Sequence, residues 1–216
     1  MTDNPLKPNA LKNADCQQLR LAGLAPSSRV NGPGLRVVVW VQGCDLACPG
    51  CFNPGTHGAD GPAESIESVA ARVLAARTAA HRGVTFSGGE PFQQAAALAA
   101  LLDAVRAGWP EADAMAFSGY AFEALRGPTA PAGASALRAR LDWLVDGRYD
   151  ARRPGRRVWR ASRNQRLWCL GRPLPAGALA GAPGQVAELT IGDEGAVLLS
   201  GFPDAGLRRL VGELAR

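Results

Sequence analysis

Three of the five cysteines in this 216-residue chain, Cys44, Cys48 and Cys51, lie within eight positions. Three residues separate the first pair and two separate the second. Thiolates this close in sequence cannot readily form disulfides with one another, whereas a loop can turn all three toward one metal centre. The spacing therefore predicts a shared set of metal ligands.

The cysteine spacing alone is compatible with more than one kind of centre. A structural zinc site needs four protein ligands, and His57 is the only nearby candidate for the fourth, because Cys16 and Cys169 lie far away in sequence. A four-iron four-sulfur cluster held by three cysteines leaves one iron open to a substrate or cofactor. A redox-active dithiol is the third alternative, although three cysteines exceed what it requires.

The cysteine loop must be positioned by the apolar run that precedes it. Leu35 to Val41 is almost continuously apolar and β-branched, which predicts a strand covered on both faces, and a tight turn at Asn31-Gly-Pro-Gly34 leads into it. The cysteines follow the carboxyl end of that strand, where the loops of α/β proteins carry their chemistry.

A second polar motif follows the next predicted core strand, Val84 to Phe86. It reads Ser87-Gly88-Gly89-Glu90. Glycines at a strand end allow the backbone to approach a bound group closely, and a fixed carboxylate beside them can accept a hydrogen bond from an ammonium group. We therefore expect this motif to lie beside the cysteine loop.

The remaining segments alternate between helical and strand patterns. Such alternation predicts an α/β fold with a mostly parallel sheet. The predicted helices are Glu64 to Ala80, Gln93 to Ala107 and Ala134 to Leu141, and the further strands are Leu19 to Leu24, Ala114 to Phe117, Asp142 to Val145 and Leu167 to Leu170. Cys169 is interpreted as a small core residue, and Arg152 to Arg157 as a polar loop.

Composition favours one domain of ordinary size with appendages, since 47% of the residues are hydrophobic. The chain has no apolar run of the roughly eighteen residues that a membrane span needs, and Met1 to Gln18 lacks a signal-peptide apolar block. These features predict a cytoplasmic protein, in which cysteines stay reduced.

The segment from Leu144 to Arg172 is strongly basic, with nine arginines against Asp146 and Asp150. A solvated face is the preferred interpretation, and a docking surface for an acidic partner or an anionic substrate group is the alternative. Nucleic acid binding gains no support, because the aromatic residues do not form a stacking pattern.

Three parts of the chain can be distinguished. Residues 1–18 are predicted to form a loose arm and residues 19–170 the main domain. In residues 171–216, a linker over Gly171 to Gly184 leads to two strand-like runs, Val186 to Ile191 and Ala196 to Leu199, and then to a helix over Leu207 to Leu214. The predicted β-hairpin could extend the sheet, cover the cluster or bind a partner, with a simple structural appendage preferred.

The motif Cys-x3-Cys-x2-Cys with an aromatic residue, Phe52, directly after it resembles the hallmark of the radical S-adenosylmethionine superfamily. Further motifs follow in order over residues 31–165: Asn-Gly-Pro-Gly, Ser-Gly-Gly-Glu-Pro, Ser-Gly-Tyr, Leu-Val-Asp-Gly-Arg-Tyr and Trp-Arg-x-Ser-x-Asn-Gln. This order is similar to that of the activating enzymes of anaerobic ribonucleotide reductase. Ala161 and Arg163 depart from that family's usual glycine and serine.

The resemblance implies an incomplete α/β barrel with a C-terminal hairpin extension. It implies that Cys44, Cys48 and Cys51 hold a 4Fe-4S cluster whose open iron is chelated by S-adenosylmethionine. The motif Ser87, Gly88, Gly89 and Glu90 would lie near the amino group of that cofactor. Candidates for contacts with its other parts are Ser118, Tyr120, Asp146 and Asn164.

The resemblance also implies the reaction. S-adenosylmethionine would be cleaved reductively to a 5'-deoxyadenosyl radical, which takes a hydrogen atom from a glycine of anaerobic ribonucleotide reductase. The implied partners are that glycyl-radical protein and a one-electron donor such as flavodoxin or ferredoxin, and a polypeptide substrate predicts an open mouth over the cluster. The alternatives are a tailoring enzyme acting on a small molecule or peptide, and a cluster-binding or zinc-binding interaction module.

Overall fold

A computed structural model describes residues 17–180, 187–191 and 197–214. The strands in these ranges are β1 (Gln18–Ser28), β2 (Leu35–Val41), β3 (Ala63–Ser65), β4 (His81–Gly88), β5 (Asp113–Phe117), β6 (Trp143–Asp146), β7 (Pro154–Arg157), β8 (Arg160–Ser162), β9 (Arg166–Cys169), β10 (Ala187–Ile191) and β11 (Val197–Gly201). The helices are α1 (Ile66–Ala76), α2 (Ala95–Gly108), α3 (Ala134–Arg138) and α4 (Ala205–Leu214). Residues 1–16 of the predicted arm, with Cys16, lie outside the described residues.

A seven-stranded sheet of order β3-β1-β2-β4-β5-β6-β9 forms the framework. Its central strands β2, β4, β5 and β6 are parallel, and the helices α1, α2 and α3 lie in the connections between them. The pairings of β1 with β2 and β3, and of β6 with β9, are antiparallel. The predicted α/β class and the parallel centre are confirmed. The sheet as a whole is mixed, because the strand pairings toward both of its edges are antiparallel.

The two faces of the sheet bury different side chains, because neighbouring residues of a strand point to opposite faces. Ala114, Ala116 and Leu144 belong to the main core, together with buried residues of α1 and α2 such as Val73 and Leu98. This face is the one that the helices cover.

On the other face, Met115, Trp143 and Val145 form a second cluster with Trp159. Phe202, from the segment after β11, packs against it. The C-terminal part of the chain therefore covers the face opposite the helices.

A fully buried ion pair ties three central strands together. Arg36 of β2 donates to Asp113 of β5 at 2.5 Å, to Thr85 of β4 at 2.7 Å and to the carbonyl of Val84 at 2.7 Å. Burial lowers the pKa of Arg36, and Asp113 opposes this shift. The hydroxyl of Thr85 donates in turn to the carbonyl of Asn31 at 2.7 Å, which fixes the turn before β2.

Several local predictions were wrong in their details. The strand predicted over Leu19 to Leu24 is longer, because β1 runs from Gln18 to Ser28. The first helix begins at Ile66 rather than at Glu64, because the side chain of Ser65 caps it by accepting a hydrogen bond from the backbone N–H of Ser68. The three residues that precede Ile66 form β3 and pair with β1. The predicted polar loop includes β7, which pairs with β8 in a small hairpin.

Cys169 was interpreted as a core residue, and this was wrong. It lies on the edge strand β9 and is exposed. The period-2 pattern of a short edge strand leaves its orientation undetermined until its partner strand is known.

The predicted C-terminal hairpin is present, with β10 and β11 paired antiparallel and α4 following them. Its predicted connection, residues 192–195, lies outside the described residues, as do residues 181–184 of the linker. None of the helices in the described ranges combines the length and the apolar character needed to cross a bilayer.

Candidate functional site

A cavity lies at the carboxyl ends of β2, β4 and β5, where the sequence places its polar motifs. All three clustered cysteines line it. So does the second motif, with Ser87, Gly88, Gly89 and Glu90, and so does Ser118 after β5. The cysteine loop and the glycine-rich motif therefore meet in one site, as expected.

Backbone hydrogen bonds hold the cysteine loop against the second motif. The N–H of Gly43 donates to the carbonyl of Thr56 at 2.8 Å, and the N–H of Cys44 to that of His57 at 3.1 Å. The carbonyl of Gly43 accepts from the N–H of Glu90 at 2.8 Å. Both ends of the loop are thus fixed before any ligand binds.

Individual loop residues have further contacts. The N–H of Asn53 donates to the sulfur of Cys51 at 3.4 Å. The guanidinium of Arg148 donates to the carbonyl of Leu46. Burial raises the pKa of the Cys44 thiol, which favours the neutral thiol until a metal replaces the proton.

The glycines of the second motif allow a close approach between backbones. A Cβ built on Gly89 would lie 2.2 Å from the carbonyl oxygen of Gly43. Gly88 has a φ of +100°, and its Cβ would lie 2.6 Å from the backbone nitrogen of Val41. Only glycine fits at both positions, because a larger residue would push away the end of β2 at Gly88 and the cysteine loop at Gly89.

Glu90 is the buried charged group of the site, with 1% of its surface exposed. Its Oε1 accepts from the N–H of Phe92 and from the hydroxyl of Ser118, both at 2.9 Å. Its Oε2 accepts from the N–H of Gly119 at 2.7 Å. Burial raises the pKa of Glu90 to about 7, although these three donors oppose the shift. A cationic group in the cavity would favour the ionised form.

The residues present fit a cluster and its cofactor. His57 lines this cavity, and its Nε2 atom is buried without a hydrogen-bond partner among the described residues. This nitrogen could therefore form a hydrogen bond with a bound group. Three cysteines that line one cavity suit a 4Fe-4S cluster, which leaves one iron open to a cofactor.

The other predicted cofactor contacts lie around the cavity rather than on its wall. The hydroxyl of Tyr120 accepts from Gln93 at 3.2 Å. Asp146 is fully buried and bonded to Arg166, at 2.5 Å, and to the N–H of Phe122, at 2.6 Å. Asn164 donates to the carbonyl of Arg148 at 2.7 Å. Their assignment to the cofactor stays a prediction.

Sequence reasoning missed an aromatic and polar part of the wall. It consists of Asn31, Phe117, Tyr149, Gln165 and the segment from Leu199 to Phe202. Phe52 packs on Tyr149 with ring centroids 4.9 Å apart. Asn31, Tyr149 and Gln165 belong to motifs noted in the sequence, but no local signal marks Phe117 or the segment from Leu199 to Phe202 as part of a cavity.

The basic segment is partly neutralised. Arg166 pairs with Glu123 and Asp146, which raises the pKa of Arg166, and Arg172 pairs with Asp142 at 3.5 Å. Arg152 pairs with Asp150 but keeps 90% of its side chain exposed. This is consistent with the predicted solvated face.

The fold and the site define an iron–sulfur protein of the radical S-adenosylmethionine class, with a 4Fe-4S cluster and S-adenosylmethionine as cofactors. Residues 30–168 match the model of the 4Fe-4S single cluster domain family. The chain is 34% identical over 146 residues to the anaerobic ribonucleoside-triphosphate reductase-activating protein of Enterobacteria phage T4, covering 66% of this chain and 89% of the relative.

The protein of the same name from Salmonella typhi is 31% identical over 147 residues, covering 65% of this chain and 92% of the relative. A pyruvate formate-lyase-activating enzyme from Clostridium pasteurianum is 39% identical over 79 residues, covering 35% of this chain and 33% of the relative. The chain belongs to the family of anaerobic ribonucleoside-triphosphate reductase-activating proteins.

Proposed function

We propose that this protein is a glycyl-radical activase. It would take a hydrogen atom from a glycine of an anaerobic ribonucleoside-triphosphate reductase, as the names of its relatives suggest. The observation that carries the proposal is the meeting of Cys44, Cys48 and Cys51 with Glu90 in one cavity. These groups match both halves of the cofactor pair, the cluster and the amino end of S-adenosylmethionine.

When bound, the cluster and S-adenosylmethionine supply the one-electron chemistry that generates a hydrogen-abstracting radical. The protein's residues bind and position. The three thiolates hold the cluster. The ionised carboxylate of Glu90 would accept from the ammonium group, with its orientation fixed by the N–H of Gly119 and the hydroxyl of Ser118.

The apolar part of the wall would exclude water. Phe52 and Phe117 present apolar rings to the cavity that the cysteines line, and Phe52 packs on the ring of Tyr149. Tyr120, Asp146 and Asn164 would act as supports for the cofactor pocket, since each is bonded to a neighbouring loop.

The proposal includes features beyond the site. A one-electron donor such as flavodoxin or ferredoxin would supply the electron, and the basic segment with its exposed arginines, such as Arg152, would be a docking surface if that donor is acidic. The protein would act in the cytoplasm, without a nucleic acid partner. The sheet, with its two separate edges β3 and β9, would be an incomplete barrel.

A second candidate is a radical tailoring enzyme that acts directly on a small molecule or peptide. The C-terminal wall of the cavity favours it, because residues beyond the family match narrow the site. The two functions differ in the hydrogen donor, which the experiment below identifies.

The test begins with anaerobic reconstitution of the protein with iron and sulfide. The reconstituted protein is then incubated with a reductant, S-adenosylmethionine and the reductase. We expect 5'-deoxyadenosine, methionine and a glycyl radical signal on the reductase. Cys48→Ala should lose iron and products together, while Cys169→Ala, an exposed cysteine outside the cavity, should retain both.

Other results would point elsewhere. Cofactor cleavage without a reductase signal would favour the tailoring enzyme. A full cluster without cleavage would leave an interaction module. Equal iron content in wild type and Cys48→Ala would overturn the ligand assignment.

A further inference from the structure

We propose that the segment from Ser200 to Phe202, at and just after the end of β11, is the substrate-facing wall of the site and selects glycine at the position that gives up its hydrogen atom. This inference rests on the proposed function and adds a specificity determinant to it. The hairpin would therefore be part of the active site rather than a structural appendage.

The first observation is the position of this segment relative to the family match. The match covers residues 30–168, and the hairpin begins at Ala187. Even so, Leu199, Ser200, Gly201 and Phe202 line the same cavity as the three cysteines. Residues outside the family match therefore complete the wall of a site whose cysteines lie within the match.

The second observation is that the hairpin is held in place by specific polar contacts. Glu188 of β10 accepts from the hydroxyl of Ser28 at 2.6 Å and from the N–H of Arg29 at 2.8 Å. On β11, the hydroxyl of Ser200 accepts from the side-chain amide of Asn31, and both residues are buried. The buried bond of Ser200 and the two bonds of Glu188 nearer the surface together fix one orientation of the hairpin over the cavity.

The third observation is the position of Phe202. Its ring centroid lies 6.0 Å from that of Phe52, which directly follows Cys51, and 6.0 Å from that of Phe117 at the end of β5. Gly201, with a φ of +87°, makes the turn that brings Phe202 inward from the strand. A rigid ring consequently stands beside the cluster-binding loop.

These rings limit what can reach the reacting position. Phe202, Phe52 and Tyr149 pack against one another and form one aromatic surface on the wall of the cavity. A glycine can lie against such a surface as bare backbone, whereas alanine adds a methyl group that must displace a ring. Hydrogen transfer breaks one Cα–H bond and forms one C–H bond on the 5'-carbon. The Cα must therefore come into contact with the 5'-carbon, and a backbone held away by a methyl group cannot reach it.

The experiment uses two peptides copied from the reductase around its target glycine, one with glycine and one with alanine at that position, each deuterated at that Cα. The reconstituted enzyme is given S-adenosylmethionine and reductant, and the deuterium in 5'-deoxyadenosine is measured by mass spectrometry. We expect wild type to prefer glycine. Phe202→Ala should lower this preference roughly tenfold, the effect of about one methyl group of added room.

The matched control is Ile191→Ala, on the other strand of the hairpin, where 66% of the side chain is exposed. It should keep the wild-type preference. Hydrogen exchange gives a readout that does not depend on turnover: the glycine peptide should slow exchange of the amides from Val197 to Phe202. If Phe202→Ala fails to fold, Phe202→Leu keeps the packing and should show a smaller loss of preference.

Two outcomes would overturn the inference while leaving the proposed function intact. One is an unchanged glycine preference in the folded Phe202 variants. The other is unaltered exchange of the β11 amides on peptide addition. Failure of the proposed function itself would be recognised separately, because wild type would then leave no glycyl radical on the intact reductase.

Discussion

Glu90 shows how a single residue can be prepared for a cationic ligand. Three donors converge on its carboxylate, yet burial still raises its pKa to about 7. In the absence of a cation, the neutral and charged forms are therefore nearly balanced at neutral pH. The ammonium group of S-adenosylmethionine would tip this balance toward the carboxylate and lower the pKa again.

The raised pKa of Glu90 predicts a pH-dependent affinity for S-adenosylmethionine. Below pH 7 the free site becomes protonated, and binding of the ammonium must first displace that proton. The dissociation constant should therefore rise as the pH falls from 8 to 6, by up to about tenfold per pH unit below the pKa. Calorimetric titration of the reconstituted protein would measure it.

Glu90→Gln is the variant that isolates this effect. It should bind more weakly at pH 8 and show little change with pH, because no carboxylate remains to titrate. A pH-independent affinity in the wild-type protein would contradict the assignment of Glu90 to the amino group.

Gly89 tests the close contact between the two motifs. In Gly89→Ala the new methyl group would lie 2.2 Å from the carbonyl oxygen of Gly43, directly before Cys44. We expect the loop to shift, with a loss of stability of about 2 kcal/mol or more and reduced iron content after reconstitution. Thermal unfolding and iron analysis would measure both.

The control is Gly55→Ala in the same loop, where a Cβ would meet nothing within 4 Å. This variant should bind iron as wild type does. If Gly89→Ala binds as much iron as wild type, the loop can shift away from the new methyl group without losing its ability to bind the cluster.

At the scale of elements, the buried pair of Arg36 and Asp113 connects the centre of the sheet to the site. It joins β2 to β5, and through Thr85 it holds the turn at Asn31 that in turn contacts Ser200. Asp113→Ala would leave the Arg36 charge buried and uncompensated, so we expect a loss of roughly 3 to 5 kcal/mol in unfolding free energy.

Chemical denaturation would measure this loss. The comparison is Glu64→Ala, which removes the partly exposed partner of Arg72 and should cost less than about 1 kcal/mol. Similar losses in the two variants would show that Arg36 finds other partners once Asp113 is gone.

The sequence predicts those elements whose pattern is local. The apolar run from Leu35 to Val41 is strand β2 with the same bounds, and the cysteine loop and the Gly88-Gly89 motif follow their strands as expected. Two apolar strands that are joined by a helix usually pair as parallel neighbours in one sheet. The parallel centre of the sheet therefore follows from the sequence pattern.

Elements that depend on distant partners were not predictable in this way. The antiparallel pairings of β1 with β3 and of β6 with β9 join strands that are not consecutive in the chain, and the exposure of Cys169 follows from the second pairing. The same holds for the site: Phe202 lies about 150 residues after Phe52, and nothing in its local sequence marks it as part of a cavity.

At the scale of the whole molecule, the sheet has two faces with different covers. Helices cover one face, and the main core lies there. Trp159, Phe202 and their neighbours cover the other face, on which the second cluster lies. All seven strands of the main sheet lie within residues 18–169, so the framework is complete before the hairpin begins.

This organisation predicts the behaviour of a chain truncated after residue 180. It should keep the cysteine loop, bind iron as the full chain does and unfold in one cooperative transition. Its stability should fall by roughly 3 kcal/mol, because the half-buried ring of Phe202 and the bonds of Glu188 and Ser200 are lost.

Denaturant unfolding and iron analysis of the truncated and full chains would test this. The full chain carrying Ile191→Ala is a suitable reference, since it alters the hairpin without touching its contacts to the rest of the protein. Loss of iron binding, or a broad and non-cooperative transition, would mean that residues 171–216 belong to the main domain. Retained iron with a lower midpoint would show that the hairpin is an addition to a self-sufficient core, free to change the substrate that the core accepts.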